Sequence, residues 1–303
     1  MRILVSGPTG LIGRALCRRL RFLGHEVVGL SRSDRAGMIR WNPARGQLAP
    51  AEVAGFDAVV HLAGENVAGG RWTEARKRRI RESRVEGTGL LARSLIESGQ
   101  PPKAFVSASA VGFYGSKVGS DQDPILDESS SAGEGYLADV ARAWEDASRA
   151  IEDAGSRRVL VRIGVVLDPE EGALGKMLPP FRLGVGGVVG SGRQWMPWIT
   201  RDDVCAVIER AIESESLRGP VNAVAGCVQN REFVRELGRA LRRPTLFPLP
   251  GFAVKLLFGE MGQRLLLEGM RVESRVLADL DHRFGDPNLT GAFRRLTQLG
   301  GSC

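Results

Sequence analysis

Arg2-Ile3-Leu4-Val5-Ser6-Gly7-Pro8-Thr9-Gly10-Leu11-Ile12-Gly13 is the stretch whose reading decides the fold. Residues 2–6 are apolar and β-branched-rich, the composition of a buried parallel strand. They run through a glycine turn into a helical pattern at Leu11, Ile12, Ala15, Leu16, Leu20 and Leu23. Strand, glycine turn and helix start form the geometry that holds a pyrophosphate. The first N–H groups of a helix are unpaired, and the positive end of its dipole faces the anion. The turn therefore predicts phosphate contacts at Gly7, Thr9, Gly10, Leu11, Ile12 and Gly13. The spacing is G-x-x-G-x-x-G rather than G-x-G-x-x-G, so by itself it also suits a ligand-free strand–turn–helix.

The surrounding chain narrows that choice. Glu26-Val27-Val28-Gly29-Leu30 reads as a second strand, which completes a βαβ unit. At its end stands Ser31-Arg32-Ser33, where an acid would read the ribose hydroxyl of NAD. Arg32, with Ser31 beside it, instead predicts pairing with a 2′-phosphate, hence NADP(H); a solvated surface charge is the plainer alternative. The strand 56–64 ends in Leu62, Ala63 and Gly64, small enough for backbone to approach a cofactor, with Glu65 and Asn66 at the same rim. Residues 104–109 bring Ser107 and Ser109 to that rim, and 158–167 read as one sixth strand.

Helices are expected over 73–98, with Thr73 as N-cap, over 136–154 and over 202–214. Residues 116–134 read as a long polar loop near the site and 244–250 as a linker. The alternation predicts an α/β fold: a Rossmann-type doubly wound parallel sheet with a smaller, mostly helical C-terminal substrate lobe. Its parts would be 1–168 for the dinucleotide domain, joined by strand material from 221–226, then 169–248 for substrate-lobe and crossover segments, and 249–298 for a helical end domain.

Bulk properties exclude several classes. The chain has 303 residues, 43% hydrophobic and 25% charged, ordinary for a globular protein. No apolar run is long enough to span a bilayer and no signal peptide opens the chain, so no membrane partner and a cytoplasmic location are expected. Cys17, Cys205, Cys227 and Cys303 are scattered and read as free thiols, and His25, His61 and His282 form no metal cluster. The net charge of +7 favours anionic ligands. The basic run 71–84 carries interspersed acids and lacks interleaved aromatics apart from Trp72, so no nucleic-acid partner is expected. A monomer or homodimer acting on a small molecule fits these numbers.

Further motifs carry a resemblance. Leu62-Ala63-Gly64-Glu65-Asn66, Gly70-Arg71-Trp72, Ser83-Arg84, Ser107-Ala108-Ser109, Trp144-Glu145, Met177-Leu178-Pro179-Pro180-Phe181, Gly190-Ser191-Gly192-Arg193-Gln194-Trp195 and Leu265-Leu266-Leu267-Glu268-Gly269 are spread along the chain. Together with the opening turn they resemble the extended and atypical branches of the short-chain dehydrogenase/reductase superfamily, most closely the branch labelled "epimerase family". The resemblance implies NADP(H) binding through the Gly7–Gly13 turn, Ser31, Arg32, Leu62, Ala63, Arg84 and the strand end at Val165 and Val166. It also implies a C-terminal domain of undefined function over 249–298.

Members of the superfamily use Tyr-x-x-x-Lys with a serine. Here Val140 stands four residues after Tyr136, and a register set on Glu145 places Leu137 and Ala141 at the two positions, so the lysine is missing. Ser109, Tyr114 and Tyr136 remain as candidate proton donors, each with a structural alternative. Glu65 is a further candidate, and Met177, Phe181, Trp195 and Trp198 line either a cleft or a core. The expected function is an NADP(H)-binding oxidoreductase or epimerase-like protein of unknown substrate; the alternative is a non-catalytic NADP(H)-sensing or scaffolding protein.

Overall fold

A computed structural model describes residues 1–116, 119 and 123–299; Cys303 and residues 117, 118 and 120–122 of the 116–134 loop lie outside the described residues. Strand β1 (Arg2–Ser6) is buried from Ile3 onward and lies third in a seven-stranded sheet. Its neighbours are β2 (Glu26–Ser31) and β4 (Ala58–His61), with β3 (Met38–Arg40) beyond β2. On the other side follow β5 (Ala104–Ala110), β6 (Arg157–Ile163) and β9 (Gly219–Ala223). The order is β3-β2-β1-β4-β5-β6-β9, and every pairing in it is parallel. Parallel strands need crossover helices, which here cover both faces and make the strands apolar throughout. The chain is therefore a Rossmann-type α/β protein.

One face packs against α1 (Leu11–Phe22) and α6 (Arg201–Glu213), with Ile3, Val5, Val60, Val106, Leu16, Leu20 and Ile208 in one core. The other face packs against α2 (Glu74–Glu97) and the short α4 (Ala150–Asp153), around Leu4, Val59, Phe105, Leu91 and Leu95. Thr73 caps α2 by accepting a hydrogen bond from the Arg76 N–H. The single helix expected over 136–154 is divided into α3 (Tyr136–Asp146) and α4, with an overlapping series of short-range backbone bonds around Ser148 between them.

The strand expected over 158–167 is also divided, at Gly164. Residues before it belong to the large sheet. Residues after it form β7 (Val165–Leu167), which joins β8 (Trp195–Thr200) and β10 (Gly226–Gln229) in a second, three-stranded sheet. Glycine permits the close backbone approach at this crossing: a Cβ on Gly164 would lie 2.7 Å from the Pro197 carbonyl oxygen. The second sheet carries its own core with α5 (Gly172–Arg182), α7 (Asn230–Leu241) and α10 (Leu289–Leu299), built on Leu178, Phe181, Trp198, Phe233 and Phe293. Phe181 and Trp198 are thus core residues, whereas Met177 and Trp195 keep part of their surface exposed.

The end of the chain is less regular than a helical run. α8 (Gly251–Gly262) breaks at Gly259, a π turn follows over Gln263–Leu267, and α9 (Arg275–Asp279) is a short helix. The 244–250 segment is fastened by bridges from Gly187 to Leu246 and from Val189 to Leu249. Replacing Gly164 with alanine should lower the unfolding free energy by about 1–3 kcal/mol through this backbone clash. Urea titration checks it; an unchanged midpoint would show that the two sheets can part at no cost.

Candidate functional site

The carboxyl ends of β1, β4, β5 and β6 meet along one edge of the sheet, and the glycine turn lies at its centre. Gly7 has a φ of +68°, and a Cβ on it would meet the Leu62 carbonyl and the Ala63 N at 3.1 Å. A Cβ on Gly13 would sit 2.1 Å from the Gly7 carbonyl oxygen. Turn, helix start and the β4 rim are therefore in backbone contact. α1 begins at Gly10 with no side-chain cap and no acid in its first turn, which leaves its leading N–H groups without a side-chain acceptor. Arg14 in that turn pairs with Glu171 at 2.6 Å.

Beneath the turn lies a pair that the sequence did not single out. Ser6 Oγ accepts hydrogen bonds from the Leu62 and Ala63 N–H groups at 3.0 and 3.2 Å, so its own proton is directed to His61 Nδ1, 2.7 Å away. The proton of the neutral imidazole then resides on Nε2, which has no hydrogen-bond partner among the described residues, and the ring makes a T-shaped contact with Trp41. Burial, helped by the Arg84 guanidinium, pushes His61 down to about 3. The pairing was illegible because Ser6 and His61 are 55 residues apart and are joined only by the β1–β4 register.

Arg84 comes from α2 to the same rim. It donates to the Glu65 carbonyl at 3.0 Å and to the Ile80 carbonyl at 3.1 Å, and it stacks on Trp144. Burial pushes it down to about 10, with Tyr136 and Glu65 opposing that shift. Gly64 lies directly beneath its guanidinium, and the Glu65 side chain pairs with Arg76 at 3.6 Å. At the outer edge Ser31 Oγ accepts from the Ser33 N–H, and Arg32 projects into solvent with no ion pair among the described residues. Val165 and Val166 lie on β7, half-buried, and Ser107 is buried with its hydroxyl donating to the Ala108 carbonyl.

The candidate proton donors sit within existing hydrogen-bond networks. Ser109 donates to Glu145 Oε1 at 2.6 Å, and Glu145 receives Arg162 through two bonds of 2.9 Å. Arg162 also donates to the Tyr114 hydroxyl, which donates to Asn222 Oδ1 at 2.8 Å. Register explains the assembly: Ser109 stands opposite Arg162 on β6, and Arg162 stands opposite Asn222 on β9. Tyr136 donates to the Lys77 carbonyl at 2.7 Å. Burial pushes both tyrosines up, Tyr114 and Tyr136 alike. A Cβ on Gly112 would lie 3.5 Å from the Leu137 Cβ, so the second register places an apolar side chain beside the turn that follows β5. Lys176 of α5 reaches the rim loop and donates to the Ala68 carbonyl at 3.3 Å. Among the described residues no group of His, Cys, Asp or Glu could hold a metal ion, and no helix is long and apolar enough to cross a membrane.

Comparison with known proteins agrees with this geometry. The model of the NAD dependent epimerase/dehydratase family matches residues 3–224, and that of a domain of unknown function matches residues 249–296. Epimerase family protein SDR39U1 of Homo sapiens is 38% identical over 300 residues, covering 98% of this chain and 99% of its own. Epimerase family protein Mb2239 of Mycobacterium bovis is 40% identical over 272 residues, covering 89% and 88%. The crystal structure of the human SDR39U1 protein (isoform 2) with NADPH superposes with a TM-score of 0.90 at 37% identity, covering 98% of this chain and 99% of that one.

Two outcomes follow for stability. Glu145→Ala leaves Arg162 buried without its carboxylate and should cost about 3–5 kcal/mol, against about 1 kcal/mol for Ser109→Ala; chemical denaturation compares them, and equal losses would mean that Glu145 carries no buried charge. His61 is held neutral, so its contribution is complete above its ordinary value near 6.5 and is lost as the pH falls toward 3. Stability should decline there by up to about 1.4 kcal/mol per pH unit, and the His61→Gln variant should show a shallower slope. Parallel pH profiles for the two proteins would assign the decline elsewhere.

Proposed function

The chain belongs to the NAD dependent epimerase/dehydratase family, and from that premise we propose that it binds NADP(H) along the β1–β4 edge and serves as an NADP(H)-dependent oxidoreductase or epimerase-like enzyme. The observation that carries this reading is the backbone contact of Gly7 with Leu62–Ala63 and of Gly13 with Gly7, beside an uncapped helix start. A side chain at either glycine would collide with backbone of the turn or of the β4 rim and push apart the close packing that presents the helix start to a pyrophosphate. The human relative crystallised with NADPH, which matches over nearly its whole length, supports the same choice of cofactor.

The residues present fit the dinucleotide. The leading N–H groups of α1 and the turn around Thr9 and Gly10 receive the pyrophosphate. Ser31 and Arg32 receive the 2′-phosphate, since a guanidinium with no ion pair among the described residues, just past the end of β2, suits a dianion. Leu62, Ala63 and Gly64 form the floor, Arg84 and Glu65 flank it, and Val165 and Val166 close the far side. The bound nicotinamide would supply a hydride donor or acceptor. Ser107 and the network through Ser109 and Glu145 hold the strand ends beside it, and Tyr114 and Tyr136 form walls whose protons are already donated to protein acceptors.

A second reading has one specific observation in its favour. Leu137 and Ala141 stand where the resemblance calls for a tyrosine and a lysine, and the hydroxyls of Ser109, Tyr114 and Tyr136 are all engaged within the protein. A protein that binds NADP(H) and senses or scaffolds without turnover would have this arrangement. Consumption of NADPH with any member of a carbonyl or sugar-nucleotide panel excludes it.

Arg32→Asp should weaken NADPH by at least about tenfold while changing NADH little, because the lost charge-assisted bonds go to the 2′-phosphate alone. Fluorescence titration with both cofactors reads this. Equal losses would remove Arg32 from phosphate recognition, and the absence of NADPH binding to the parent protein would overturn the proposal.

A further inference from the structure

Two stretches of this chain, residues 172–201 and 237–259, contain neither Asp nor Glu. They hold eight of its 42 basic residues and none of its 35 acidic ones, so the remainder is balanced to within one charge although the whole carries +7. The fold brings the two stretches together. Gly187 and Val189 bridge to Leu246 and Leu249, and Pro244 lies against Gly184.

The surface they share is apolar. Leu183, Val185, Leu246, Phe247, Phe252 and Leu256 are between 53% and 78% exposed. Phe252 and Leu256 occupy the face of α8 opposite the buried Val254 and Met261, with Lys255 on the same outer face. Exposed Arg242 and Arg243 precede the Leu246–Phe247 pair, and no carboxylate pairs with either of them or with Lys255 among the described residues. Large apolar side chains left in water on segments that bridge to one another mark a surface that has a partner.

We propose that this face lies on an anionic phospholipid surface, its apolar side chains at interface depth and Arg242, Arg243 and Lys255 among the head groups. The charge selects this partner. A second copy docked about a two-fold axis would bring the same basic groups against themselves with no acid on the face to meet them. The shape selects it too. The six side chains project from a turn, an extended segment and a helix face, which suits insertion into a soft interface better than a partner helix in a groove. The contact is made on the bilayer and not across it, since no helix among the described residues could span one. It modifies the sequence-based expectation of no membrane partner, which rested on spanning segments alone. α8 is also fastened to the rim of the candidate site, where Arg71 donates to the Leu256 carbonyl and Lys77 pairs with Glu260 at 3.1 Å. The inference stands apart from the reading of the nucleotide crevice.

Cosedimentation of the full chain with vesicles tests it, using phosphatidylcholine alone and phosphatidylcholine mixed with phosphatidylglycerol. Binding to the mixed vesicles that weakens with salt, and falls at least about tenfold in both Phe252→Ser/Leu256→Ser and Arg242→Glu/Arg243→Glu, is the expected result. Both double variants should retain the parent's thermal unfolding and NADPH titration, because all four side chains are exposed. Failure to sediment, equal binding to the neutral vesicles, or variants that bind as the parent does would overturn the proposal. So would a concentration-dependent dimer that the Phe252→Ser/Leu256→Ser change dissociates.

Discussion

Backbone meets backbone where the first strand ends, and the rest of the molecule is arranged to permit it. Gly7 rests against Leu62 and Ala63, and Gly13 rests against Gly7. That contact fixes the angle of α1 over the sheet and the separation of β1 from β4. It also leaves the helix's positive end facing an open edge. Ser6 reinforces it from below by receiving the N–H groups of both Leu62 and Ala63. A neutral His61 follows from this arrangement, since a serine that already accepts two donors can only donate to the imidazole.

A second constraint acts one strand pair away. Arg162 is buried in the sheet and is compatible with burial only because Glu145 meets it with two bonds and Tyr114 takes a third N–H. The carboxylate lies on α3 and the guanidinium on β6, so the ion pair sets the register of the helix against the sheet. Ser109 and Asn222 complete the network from β5 and β9. Four elements are thereby positioned around one charge pair. This is how a chain with no Tyr-x-x-x-Lys pair still holds an ordered edge beside the glycine turn.

The two sheets divide the labour. The large parallel sheet supplies the crevice, and the three-stranded sheet with α5, α7 and α10 supplies a second body with its own aromatic core. Gly164 is the point of transfer between them, and the ion pair of Asp168 with Arg201 at 2.6 Å ties the strand that leaves it to the start of α6. The acid-free segments 172–201 and 237–259 meet beside this second body through the bridges of Gly187 to Leu246 and Val189 to Leu249.

The sequence by itself determined the parallel sheet, the glycine turn and the rim at Leu62-Ala63-Gly64, because each is written in contiguous residues with a period or spacing that physics restricts. It also determined the N-cap at Thr73 and the missing lysine, which are local facts. Tertiary structure alone decided the rest. Strand register joined Ser6 to His61 and Ser109 to Arg162, and a one-residue slip would have separated both pairs. A continuous apolar run over 158–167 concealed a change of sheet, because Gly164 yields only to a carbonyl that arrives from Pro197, 33 residues later. Phe181 and Trp198 read equally well as cleft or core, and packing against Phe233 placed them in the core. The hydroxyls of Ser109, Tyr114 and Tyr136 looked available in sequence; long-range acceptors, which no local pattern encodes, had already engaged them.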